Sequence, residues 1–332
     1  MRFVDNGNST NPFQNLALEE YVLRHRMDED DLLLFYVNEP SIIIGRNQNT
    51  IEEIASDVVE ERGIHVVRRV SGGGAVYHDR GNLNFSFMTR DVHGRFNRYD
   101  DFNGPVVEVL RAAGVPAELS GRNDIVAEGR KISGNAQFAT PDRMLSHGTL
   151  LFDSNLDEVV AALKPKAGKV ESKGVKSIRS RVANISEFAK ESLDVEELRN
   201  RILQRIFGTR DRALIPTLPM TSADWHEVRQ LQSQKYESWD WNYGQNPASN
   251  VQRAQRFSGG EIDVRYNILD GRIAGVRIFG DFLGQHEVSE LEGLLLGLPF
   301  DLASVGPVLD AASNRNYFGT ISPDEMRSVL AP

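Results

Sequence analysis

The 332-residue sequence contains no cysteine. That absence excludes disulfides, thiolate metal sites and every route through a cysteinyl thioester. Long apolar runs are missing too: no stretch approaches the ~18 residues needed to cross a bilayer, and Met1-Arg2-Phe3-Val4-Asp5-Asn6 lacks the basic-then-apolar order of a secretion signal. A cytoplasmic protein with no membrane partner is expected. Positive charge is scarce, with 38 Lys and Arg against 47 Asp and Glu and a net charge of -9. Phosphate-backbone binding draws on many basic contacts, so no nucleic-acid partner is expected and any anionic substrate must meet local basic patches. The 7 histidines show no HExxH or other ligand spacing, and no zinc site is expected.

What is present fits an ordinary globular chain, 40% hydrophobic and 26% charged, long enough for about two domains. Leu16, Ala17, Glu20 and Leu23 with Tyr21 predict a helix opened near Asn11-Pro12, since Asn caps and Pro suits a first turn. Leu32 to Val37 and Ser41 to Gly45 predict a strand pair around the turn Asn38-Glu39-Pro40, and Ile51 to Glu61 a helix. His65 to Val70 and Asn84 to Met88 are strand candidates joined through Ser71-Gly72-Gly73-Gly74-Ala75-Val76-Tyr77-His78-Asp79. A helix at about Asp101 to Ala113, strands near Ile125 to Ala127, Lys131 to Phe138 and Met144 to Phe152, and a helix from Leu156 follow, with no βαβ repeat. Lys164 to Arg181 is a basic loop in which Glu171 is the only acid. A break near Gln245 to Asn250 precedes a strand-rich tail with Asp270-Gly271 as a hairpin turn and a helix near Glu287 to Gly297, the expected second domain.

The glycine run does not match the usual nucleotide loops. No G-x-x-x-x-G-K-[ST] occurs, and the dinucleotide fingerprint would need Gly or Ala at Tyr77 and a helix after it. Successive glycines let backbone N–H groups converge on an anion, although the same residues also make a plain turn. Arg68-Arg69 just upstream could hold a carboxylate and a phosphate in one guanidinium fork, or could be a surface pair. In Gly121-Arg122-Asn123-Asp124 and Gly129-Arg130-Lys131-Ile132-Ser133-Gly134-Asn135-Ala136, Asn123 and Asp124 could serve a nucleotide or a magnesium ion. Lys131 alone would read as a solvated edge residue.

Taken in order, RRVSGGGAVYHDRGNLNFSF from Arg68, GRNDI from Gly121, GRKISGNAQ from Gly129, HGTLL from His147 and SRVANI from Ser180 resemble the lipoate-protein ligase family over nearly the whole chain. WDWNYGQNP, Trp239 to Pro247, resembles the end of its large domain, after which long members carry an accessory domain. The resemblance implies an α+β fold: a mixed, largely antiparallel sheet flanked by helices, of the biotin ligase and class II aminoacyl-tRNA synthetase type, plus a small α+β C-terminal domain. It implies a catalytic domain at 1–246, a linker at 247–254 and an accessory domain at 255–332.

The resemblance further implies an ATP- and magnesium-dependent enzyme. It would activate lipoate as lipoyl-AMP and transfer the lipoyl group to a lysine of an apo carrier, an acidic 2-oxoacid dehydrogenase E2 domain or a glycine-cleavage H protein. ATP contacts would fall on Arg69, Gly74, Ala75, Val76 and Tyr77. Lys131 would touch both the α-phosphate and the lipoyl carboxylate, joined at the lipoate by Arg69, Ser71 and His147, with Asn123 and Asp124 near the nucleotide and Asp124 on magnesium. A monomer is expected. Octanoyl and lipoyl transferases of the superfamily need a cysteine this chain lacks, and biotin ligases carry GRGRxGR where Gly72-Gly73-Gly74-Ala75 stands. A non-catalytic lipoyl-AMP or carrier-binding protein could keep the pocket, but intact Lys131 and Arg69 favour an enzyme.

Overall fold

The computed structural model describes every residue except Glu29, Arg122, 165–180 and 245–248. Its centre is a seven-stranded sheet in the order β1-β2-β6-β10-β9-β8-β7. The strands are β1 Arg2–Val4, β2 Leu32–Tyr36, β6 Asn82–Thr89, β7 Ala117–Ser120, β8 Asp124–Ala127, β9 Arg130–Ala139 and β10 Met144–Leu151. β1 and β2 run parallel and every other neighbouring pair antiparallel, giving the mixed, largely antiparallel sheet expected. Strand alternation divides the core. Leu33, Phe35, Leu83, Phe85 and Phe87 face the helices Asp100–Ala112 and Val195–Phe207, while Leu32, Leu34 and Met88 face the helix Pro12–His25. That helix starts as its sequence says: the Asn11 side chain accepts from Gln14 N–H, and Pro12 occupies the first turn.

A smaller sheet, β4-β3-β5, stands over one end of the first, built from β3 Ser41–Ile44, β4 His65–Arg68 and β5 Val76–His78. The expected pairing of Leu32–Val37 with Ser41–Gly45 therefore does not form. β1 and β6 already fill both edges of β2, so the chain turns at buried Asn38 and carries β3 into the other sheet. The expected helix over 51–61 is two pieces, Thr50–Glu53 and Ser56–Glu61. Between them Ile54 is extended and bridges to Leu163, and Ala55 N–H donates to the Ala162 carbonyl.

The tail folds around a three-stranded antiparallel sheet, β11 Val251–Phe257, β12 Gly260–Leu269 and β13 Arg272–Gly280, under three helices, Val288–Leu295, Leu302–Ala312 and Pro323–Leu330. Asp270 and Gly271 make the hairpin turn, both at positive φ (50° and 70°) as a type I′ turn requires. β11 pairs along β12 from Val251, so residues 251–254 lie in the accessory sheet; VQRAQRF is too polar for a strand signal in the sequence. The tail docks on the main body through Arg265 to Glu52 (2.8 Å), Arg46 to Glu287 (2.7 Å) and Gly280 N–H to Asn47 O (2.8 Å). No described helix is long and apolar enough to cross a membrane.

Candidate active site

A cavity lies where the small sheet covers the face of β9, β10, β6 and β2. Lys131 and Asn123 line one end, and Leu16, Tyr36, Ile43 and His78 the other. The loop Gly73–Gly74–Ala75–Val76 forms its wall. The wall is held close by the accessory domain, since a Cβ on Gly72 would stand 2.3 Å from the Phe282 carbonyl oxygen and no side chain fits there.

Lys131 projects from β9 and pairs with Asp124 on β8, Nζ to Oδ1 2.8 Å, with each side chain about a third exposed (35% and 34%). Its ammonium lies over Gly134, where an added Cβ would come within 2.8 Å of Nζ, so the glycine in GRKISGNA clears the path of the lysine. The backbone on both sides of Lys131 is strapped by the SRVANI segment: its N–H donates to Arg181 O (2.7 Å) and its carbonyl accepts from Ala183 N–H (2.9 Å). Asn123 is tied to Asn135, whose side-chain amide donates to the Asn123 carbonyl (2.9 Å) while the Asn123 amide donates back to the Asn135 carbonyl.

The arginine pair does not act as one fork. Arg68, 1% exposed, donates to the carbonyls of Gly45, Arg46, Gln48, Trp241 and Asn242 and to the Thr50 hydroxyl. It thus clamps the Trp239–Asn242 helix of the WDWN motif against β4, a structural task. Burial, with Arg46 and Arg69 nearby, pulls its pKa to about 9. Arg69 alone lines the cavity; its Nη2 donates to Gly72 O (2.6 Å) and Gly74 O (2.9 Å) and its Nη1 to Ile43 O (3.1 Å), so it shapes the glycine loop from within. Burial lowers Arg69 to about 10, leaving it charged at neutral pH.

Behind the loop runs a directional chain. Arg69 Nε donates to Ser71 Oγ (3.0 Å), Ser71 Oγ lies 2.6 Å from His147 Nε2, and His147 Nδ1 lies 3.1 Å from the Glu19 carboxylate. Glu19, 1% exposed, also accepts from Ser86 and, at 3.4 Å, from Tyr36. Serine, histidine and carboxylate in this order resemble a hydrolytic triad. Ser71, however, is 1% exposed and lies outside the cavity lining, and Arg69 occupies its oxygen, so the chain fixes Arg69 and the loop. Gly74, Ala75 and Val76 line the cavity. Tyr77 turns its side chain to the opposite face of β5, among Ile42, Ile44 and Ile54, where burial pushes its hydroxyl up to about 12. Among the described residues no group of three or more His, Cys, Asp or Glu could hold a metal ion.

Sequence reasoning missed Glu19, Tyr36 and His78. Glu19 could have been found as a carboxylate on the apolar side of an amphipathic helix; Tyr36 and His78 had no signal of their own, being ordinary members of short strands.

Residues 11–207 match the model of the lipoyl protein ligase A/B catalytic domain, and residues 246–330 that of the bacterial lipoate protein ligase C-terminus. The fold and site thus define a lipoyl-ligase catalytic domain followed by its accessory domain. The chain is 52% identical to lipoate-protein ligase LplJ of Bacillus subtilis, covering 99% of this chain and 100% of that protein. It is 46% identical to lipoate–protein ligase 1 of Staphylococcus aureus, with 100% of both covered. A solved archaeal bipartite lipoate protein ligase with its E2 lipoyl domain, from Thermoplasma acidophilum, matches at a TM-score of 0.64 and 32% identity, covering 75% of this chain and 98% of that one. A lipoate-protein ligase A bound with ATP matches at 0.59 and 31%, covering 73% and 98%. The chain belongs to the lipoate-protein ligase family, a family of ligase enzymes.

Proposed function

We propose that the cavity binds lipoate and ATP together and that Lys131 carries the first step. A carboxylate oxygen attacks the α-phosphorus, the bond to the β-phosphate oxygen breaks, and pyrophosphate leaves with lipoyl-AMP behind. Two anions must meet for this, and their repulsion grows in a partly dry cavity. An ammonium between them offsets it. The Lys131–Asp124 pair supports this reading, because a half-open ion pair exchanges one anionic partner for another at little cost. Loop residues Gly74, Ala75 and Val76 would present backbone to the nucleotide, as would Tyr77, with Arg69 holding their shape.

Magnesium fits only in part, since Asp124 offers one carboxylate and the ion usually takes one or two with the rest from phosphate and water. Held between Asp124 and the triphosphate, it would neutralise the departing pyrophosphate. In the second step a neutral lysine amine of the carrier attacks the acyl carbon, AMP leaves, the amine loses its proton and an amide forms.

The carrier would be an apo E2 lipoyl domain or H protein, acidic enough to meet the basic segment Lys164 to Arg181 of this otherwise acidic chain. Residues 165–180 of that segment lie outside the described residues. The observation that carries the proposal is the lysine placed over Gly134 in the lining of the cavity. The test is the mass of a purified apo carrier after incubation with this protein, ATP and lipoate, alongside pyrophosphate release without carrier. A lipoyl mass shift that requires ATP is expected; a shift without nucleotide would replace ligation by acyl transfer.

A further inference from the structure

Among the residues lining the cavity stands a histidine with one ring nitrogen unaccounted for. His78 is 3% exposed and lines the cavity, and its Nε2 is buried without a hydrogen-bond partner. Its Nδ1 lies 3.0 Å from the Asn38 side-chain amide.

Which nitrogen carries the proton follows from a relay that backbone groups anchor. Asn6 Oδ1 accepts from Asn8 N–H, and Asn6 Nδ2 donates to Ser9 O (2.9 Å) and to Asn15 Oδ1 (3.0 Å). Asn15 Nδ2 donates to the same Ser9 carbonyl (3.0 Å) and to Asn38 Oδ1 (2.9 Å). A backbone carbonyl only accepts and a backbone N–H only donates, so no amide in the series can be reversed without setting like against like. Asn38 is left with its NH2 toward His78, and Nδ1 must accept. The proton therefore sits on Nε2, the ring nitrogen left without a partner in this cavity-lining residue. Burial, with Arg69 and His147 nearby, pushes the imidazole down to about 3, so the ring is neutral and Nε2–H is its one donor.

The sheet order places this donor. Lys131 is on β9 and Tyr36 on β2, with β10 and β6 between, a span of ~14 Å at ~4.8 Å per strand. His78 sits at the β2 end, beside Val76 and Ile43, which are paired on β5 and β3. An acid with its carboxylate at Lys131 would bring its tail here. Nε2–H is buried and unpaired with the cavity empty; a plain alkyl terminus would leave it so, whereas a tail carrying an acceptor would pair it.

We propose that His78 Nε2–H is a specificity determinant that donates to a sulfur of the dithiolane ring, favouring lipoate over a saturated fatty acid of the same chain length. Asn38, Asn15 and Asn6 are positioning residues that fix the tautomer. The proposal rests on the reading of the cavity as the lipoate site.

The experiment measures kcat/KM for pyrophosphate release with lipoate and with octanoate in the wild type, His78→Phe and Asn38→Leu. In both variants the lipoate-to-octanoate ratio should fall about fivefold, the size of one net neutral hydrogen bond. His78→Gln, which keeps a donor, should recover part of it. Equal losses on both acids, or an unchanged ratio, overturns the proposal while leaving the ligase reading standing. A wild type that activates neither acid overturns both. Should either variant fail to fold, long-range 1H–15N spectra of the histidine-labelled wild type decide: the His78 resonances should show the Nε2–H tautomer and move with lipoate more than with octanoate. An Nδ1–H tautomer, or equal movement, overturns the proposal.

Discussion

The two ends of the cavity are built on opposite electrostatic plans. At the β8–β9 end, Lys131 and Asp124 are each about a third exposed and paired across 2.8 Å. At and behind the other, Arg69, Ser71, His147 and Glu19 are each less than a tenth exposed and bonded in a continuous series. An exposed ion pair contributes ~0 to 1 kcal/mol, so reactant anions can displace it. A buried, satisfied network loses several times that when one member is removed. Reactive charge thus sits where pairs open easily, and shape is set where they do not.

The largest effect expected is at the open end. Lys131→Ala should reduce pyrophosphate release at least ~hundredfold, the scale of one lost electrostatic stabiliser of a transition state. Its urea midpoint should stay within ~1 kcal/mol of wild type, because only an exposed pair is lost. Substantial residual activity in a folded protein would remove Lys131 from the chemistry. Next comes a buried arginine that lines no part of the cavity. Arg68→Met strands the acceptors of its clamp and should cost ~3 kcal/mol in urea denaturation, with folded protein still binding nucleotide. A loss below ~1 kcal/mol would show that the WDWN helix is held by other contacts.

The smallest effect is in acid. Folded His78 refuses a proton until about pH 3, whereas in the unfolded chain it binds one below its ordinary 6.5. Its contribution to stability is therefore full above about 6.5 and is lost progressively as the pH falls toward 3. His78→Phe should flatten this acid limb when urea midpoints are compared at about pH 7 and about pH 5. An unchanged slope would mean that His78 is solvated, and would blur the contrast between the two ends.

Much of this is legible in the amino-acid order. The succession of motifs points to the family, the glycine run to the cavity wall, Asn11-Pro12 to a helix start and Asp270-Gly271 to a turn, because caps, turns and glycines act within a few residues of themselves. The missing cysteine alone removes a class of mechanism. Arg68 and Arg69 mark the limit: neighbours of one kind in the sequence, they diverge because successive side chains of an extended segment point to opposite faces, one into the WDWN clamp and the other into the cavity. Asn38 likewise reads as a turn residue, yet its buried amide joins Asn15 to His78 across 23 and 40 residues. Residue types, local elements and family membership are thus carried by the chain's linear order. Which polar groups find partners, and which stay open toward a substrate, is settled by the packing of distant segments, because hydrogen bonds and burial depend on distances that the linear order does not contain.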